Sequence, residues 1–70
     1  MISFGLPEKN VVEINIYDIN GKLVSRLVKD FFDPGNYKVK WNAEGYSSGI
    51  YFYVLSVAGK KQTKKMIVVK

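Results

Sequence analysis

The 70-residue chain predicts an all-β fold, an antiparallel β-sandwich of about six to seven short strands. Three observations point there. Ile50-Tyr51-Phe52-Tyr53-Val54-Leu55-Ser56-Val57 is a run of aromatic and branched residues, too rich in strand formers and too short for a helix. Turn signals recur at close intervals, at Asp18-Ile19-Asn20-Gly21, Asp33-Pro34-Gly35-Asn36 and Ala58-Gly59-Lys60. Between them no stretch is long enough for the crossover helix of a parallel sheet.

The elements follow in order. Ile2, Phe4 and Leu6 alternate with Ser3 and Gly5 until Pro7 stops the pattern, which predicts a short first strand and a turn over Pro7-Glu8-Lys9-Asn10. Val12, Ile14 and Ile16 alternate with Glu13, Asn15 and Tyr17, the period of a strand with one buried face. Asp18 to Gly21 closes it as a hairpin turn, because Asn and Gly tolerate positive φ and Asp bonds its own backbone. The return segment, Lys22 to Val28, is predicted as a strand, although Leu23, Leu27 and Phe31 also fit a helical spacing. The Asn-Gly turn decides it. Tyr37, Val39 and Trp41 then alternate with Lys38, Lys40 and Asn42, giving one dry and one cationic face, with Trp41 as the expected hub of the core. The polar loop Asn42 to Gly49 leads into the central strand. There Ile50, Phe52 and Val54 point one way and Tyr51, Tyr53 and Leu55 the other, so both sheet faces need cover. Lys61 to Lys70 forms the last strand, polar on both faces at first and apolar on both at its end.

A chain this short buries only about 60% of its unfolded surface, so stability rests on the core. With no cysteine, neither a disulfide nor a thiolate metal site supports it. Apolar residues make up 47% of the chain and charged residues only 24%, which excludes disorder as a description of the whole. The net charge of +5 is concentrated late, with Lys60, Lys61, Lys64, Lys65 and Lys70 in the last eleven residues. Such a cluster attracts phosphates and acidic headgroups, but it also keeps a strand edge from aggregating. The second reading is preferred, and nucleic acid is not expected as a partner. Nor is membrane insertion, since no apolar run approaches the roughly 18 residues of a span. The N-terminus lacks the basic and apolar segments of a secretory signal. Residues 1–70 are therefore expected to form a single β-sandwich domain cut from a larger protein.

Catalysis is not expected either. Without histidine or cysteine the usual base and nucleophile pairs cannot be assembled, and Ser25, Ser47, Ser48 and Ser56 have no group to activate them. Asp18 and Asn20 offer oxygens to a cation, but the loop lacks the later glutamate of a calcium loop. No metal and no cofactor is expected.

Five segments carry a resemblance in order and in register. They are Ile2-Ser3-Phe4-Gly5-Leu6-Pro7-Glu8, Ile16-Tyr17-Asp18-Ile19-Asn20-Gly21-Lys22-Leu23-Val24, Pro34-Gly35-Asn36-Tyr37-Lys38-Val39-Lys40-Trp41-Asn42, Ser48-Gly49-Ile50-Tyr51-Phe52-Tyr53 and Lys64-Lys65-Met66-Ile67-Val68-Val69-Lys70. In this arrangement the chain resembles the type IX secretion C-terminal sorting domain, type A. The resemblance implies an immunoglobulin-like sandwich at the C-terminus of a secreted bacterial protein, which reaches the cell surface by way of the periplasm. It also implies an outer-membrane translocon and a sortase as partners, with the cargo domain on the N-terminal side. A structural or self-associating module is the alternative, in the manner of the flagellar hook-capping domain. That family shares the Tyr-Asp-x-x-Gly turn, but its Trp-Asp-Gly loop is replaced here by Trp41-Asn42-Ala43-Glu44-Gly45.

A sorting domain is recognised through a surface patch rather than a cleft. The expected patch is the C-terminal hairpin, with Gly49, Tyr51, Tyr53 and Leu55 along the outer side of the central strand and Lys64, Lys65 and Lys70 on the last one. Loops 29 to 36 and 42 to 48, carrying Phe31, Phe32 and Tyr46, either leave that aromatic face open or fold over it. Pairing of strand edges with a second copy is a further expectation.

Overall fold

The computed structural model describes residues 2–69, and among them there are six strands and no helix. These are β1 (Ile2–Leu6), β2 (Asn10–Asp18), β3 (Leu23–Phe32), β4 (Gly35–Val39), β5 (Gly49–Val57) and β6 (Lys60–Val68). Four of them pair in the order β3-β2-β5-β6, while β1 and β4 form a second, two-stranded sheet, and every ladder is antiparallel. Ile2, Phe4 and Leu6 of β1 meet Val12, Ile14 and Ile16 of β2 and Tyr51 of β5 in one buried cluster between the sheets. The order is that of an immunoglobulin-type sandwich. β6-β5-β2-β3 take the places of strands G-F-C-C′ and β1-β4 those of B-E, with no counterpart of A or D among the described residues.

Burial is deepest on β2, where Val12, Ile14 and Ile16 are all at 0% exposure. Each such side chain contributes about 1.5–3 kcal/mol of transfer free energy. Trp41, expected as the hub, lies two residues beyond the end of β4 and is half-buried. The two-stranded sheet ends at Val39, so the indole closes one end of the core instead of filling its centre. The other end is closed by Phe4, Phe32 and Tyr37, whose ring centroids lie 4.9–5.6 Å apart.

β3 departs from simple alternation. Its register against β2 shifts between Ile14 and Asn15 and again between Ile16 and Tyr17, which leaves Leu27 and Val24 as extra residues in two bulges. Val24, Leu27, Val28 and Phe32 all pack against the core as a result. A bulge also frees backbone groups from the ladder. The carbonyl of Val24 accepts a hydrogen bond from the Tyr46 hydroxyl at 3.0 Å, which ties the loop after β4 to the edge of the larger sheet.

Two tight turns set the hairpins. At the β2–β3 turn Asp18 Oδ1 accepts from the backbone amides of Asn20 and Lys22, each at 2.9 Å. At the β5–β6 turn Ala58 and Gly59 have φ of 51° and 78°, the doubly left-handed pair that matches strand twist in a two-residue hairpin.

Candidate recognition surface

Tyr51, which the sequence places on the outer side of the central strand, is instead 7% exposed and belongs to the buried cluster. Its ring centroid lies 5.3 Å from that of Trp41 and 6.4 Å from that of Tyr46. Its hydroxyl donates to the carbonyl of Ser47 at 2.7 Å. A tyrosine near the start of the F strand, bonded back to the backbone just before it, is the tyrosine corner of immunoglobulin-type sandwiches. Of the two loop arrangements left open by the sequence, the structure has 42 to 48 folded over Tyr51, with Tyr46 against it. Phe32 joins the core, whereas Phe31 stays 66% exposed.

Parity along β5 then turns the rest. Tyr53 pairs with Ile16 and Leu55 with Ile14, both fully buried, so these side chains share the inner face and pack against the core. Gly49 opens the strand opposite Val68, and its φ of 155° favours glycine although nothing would crowd a Cβ there. The outer face is carried by Ile50, Phe52 and Val54, which sequence reasoning did not select. Both faces of β5 are apolar, so hydrophobicity could not choose between them. The tyrosine after a Ser-Ser-Gly loop was the available signal.

Three rows of that outer face follow from the pairing. Leu23, Tyr17, Phe52 and Lys65 form one, Arg26, Asn15, Val54 and Thr63 the next, and Lys29, Glu13, Ser56 and Lys61 the third. Cations thus stand at both edges of a band that is apolar around Tyr17, Phe52 and Val54. Glu13 is the one acid in these rows, and its Oε1 accepts from Asn15 Nδ2 at 2.9 Å.

β6 is an edge strand, and its two faces differ in cover. Lys64 opposes Tyr53 on the inner side and Lys65 opposes Phe52 on the outer side, so neighbours in sequence point apart. Both are exposed. Cover returns only at Met66 and Val68, which are half-buried. Lys70 lies outside the described residues. Of the expected patch, the structure leaves Lys64 and Lys65 accessible on β6, buries Tyr51, and leaves Tyr53 and Leu55 half-buried on the inner face against the core. A groove of about 390 Å³ runs along this edge, with Trp41, Tyr53, Lys64, Met66 and Val68 among its walls.

Among the described residues no three histidine, cysteine, aspartate or glutamate side chains come together as metal ligands. What the fold presents is a lysine-rich free edge, a groove beside it with mixed lysine and apolar walls, and a cation-flanked sheet face. The model of the secretion system C-terminal sorting domain matches residues 1–69. No curated protein and no solved structure matches the chain. The family is a sorting signal for type IX secretion rather than a catalytic domain, and it marks secreted or cell-surface proteins. From the match over residues 1–69, the chain belongs to the type IX secretion system C-terminal sorting domain family.

Proposed function

We propose that this domain rides at the C-terminal end of a cargo protein and directs it from the periplasm through an outer-membrane translocon, after which a sortase handles the cargo at the cell surface. The family match over residues 1–69 is the observation that carries the reading. The β5–β6 hairpin is the handle. It combines accessible Lys64 and Lys65 with a strand edge that no other strand among the described residues occupies. Tyr51 and Leu55 contribute by holding β5 in place from the inside, and Gly49 by letting the loop enter it.

The test is a fluorescent protein carrying its own signal peptide, fused ahead of residues 1–70 and expressed in a bacterium with type IX machinery. Fluorescence in the medium or on the cell surface is the expected result. Retention of the folded fusion in the periplasm overturns the reading. The alternative, a self-associating module, draws on the unpaired sides of β1, β3, β4 and β6. Light scattering on the isolated domain at high micromolar concentration separates it, since that reading requires dimers or larger species.

A further inference from the structure

We infer that the free edge of β6 is a strand-addition site for an extended segment of a partner protein that is acidic at one end and apolar at the other. This deepens the sorting reading and rests on it only for placing the partner in the secretion machinery. The groove at this edge is lined by consecutive residues of β6, Lys64, Lys65, Met66, Ile67 and Val68. Side chains of consecutive strand residues alternate between faces. A cavity that touches both sets therefore runs along the backbone edge itself, where β6 turns half of its N–H and C=O groups away from β5. Trp41 and Ile2 supply the facing wall from the two-stranded side of the sandwich.

This is the geometry of β-augmentation, in which main-chain bonds hold an added strand and flanking pockets choose its side chains. On the inner side, alternate residues of the added strand would meet Tyr53, Met66 and Trp41. On the outer side they would meet Lys65 and Ile67, the latter 67% exposed.

Charge selects the occupant. β6 carries lysines at 60, 61, 64 and 65 and no acid. Pairing it antiparallel with a second β6 over the full length sets Lys64 against Lys64 and gathers the lysines of both copies on one seam. Like charges directly opposite each other destabilise a ladder. Glutamates or aspartates beside Lys60, Lys61, Lys64 and Lys65, followed by branched apolar residues beside Met66 to Val68, instead complement the four lysines and the apolar end. The occupant is therefore a strand of another protein and not a second copy.

The test uses the domain of residues 1–70 and a synthetic peptide with glutamates at one end and alternating valine and threonine at the other. Titration followed by amide exchange should show protection gained along β6, at the amides facing away from β5. Lys64→Glu combined with Lys65→Glu should weaken binding by about tenfold. A peptide with lysines in place of the glutamates should recover binding to that variant and bind the parent poorly. Both substituted side chains are exposed, so the variant should fold, and circular dichroism checks that it does. Three results overturn the inference: no binding of the acidic peptide, binding that protects the outer sheet face but not β6, or equal binding of both peptides to the parent. Export of the parent fusion without peptide binding refutes this inference and leaves the sorting reading standing. Peptide binding without export does the reverse.

Discussion

Replacing Tyr51 with phenylalanine keeps the ring between Trp41 and Tyr46 and removes only the hydroxyl that bonds the Ser47 carbonyl at 2.7 Å. A net intramolecular hydrogen bond contributes about 0.5–1.5 kcal/mol. Ser47 is exposed, so water recovers part of the lost bond, and the expected cost is about 1 kcal/mol. Tyr51→Ala also removes a ring that is only 7% exposed, which raises the cost to about 3–5 kcal/mol, near the whole stability of a domain this size. Urea unfolding followed by circular dichroism and by Trp41 fluorescence measures both. For a domain of this length 1 kcal/mol corresponds to a Tm shift of about 4–8 °C. A loss below about 1 kcal/mol for Tyr51→Ala would put the ring outside the core and refute the assigned parity of β5. A neutral Tyr51→Phe beside a severe Tyr51→Ala would keep the packing and refute the tyrosine corner.

Two further substitutions test the local reasoning. Ala58 has a φ of 51°, which costs an L-residue about 1 kcal/mol, so Ala58→Asn should raise stability by about 0.5–1 kcal/mol in the same unfolding assay. Tyr46→Phe removes the partner of the Val24 carbonyl at the bulge in β3 and should cost about 1 kcal/mol, with faster amide exchange at that end of β3.

Some of this architecture was plain in the sequence because it follows a strict period. Val12, Ile14 and Ile16 alternate without interruption, and they are the residues at 0% exposure. The Asp18 to Gly21 turn was equally legible, since its hydrogen bonds are local to the five residues Asp18 to Lys22. β3 was ambiguous for a physical reason. Two bulges each insert a residue, so the core-facing positions fall at Val24, Leu27, Val28 and Phe32 and break the period of two, whereas Leu23 and Phe31, which share the helical spacing with Leu27, stay exposed. The recognition surface was read less well. Hydrophobicity on both faces of β5 left its parity undetermined, and only the pairing of Leu55 with Ile14 and the hydrogen bond of Tyr51 settle it. The lysines of β6 stood out from composition, but their placement on a free edge beside a groove depends on long-range pairing and on where Trp41 comes to rest.

The central claim is that the folded domain is read at the β6 edge. Export in a type IX bacterium measures it, comparing the parent fusion with two stable variants: Lys64→Glu plus Lys65→Glu on β6, and Arg26→Glu plus Lys29→Glu at the opposite edge of the same sheet. Each pair changes the net charge equally. The account predicts that the parent and the β3 variant reach the cell surface or medium while the β6 variant accumulates in the periplasm. Equal export of the β6 variant, or equal loss with both, would contradict it.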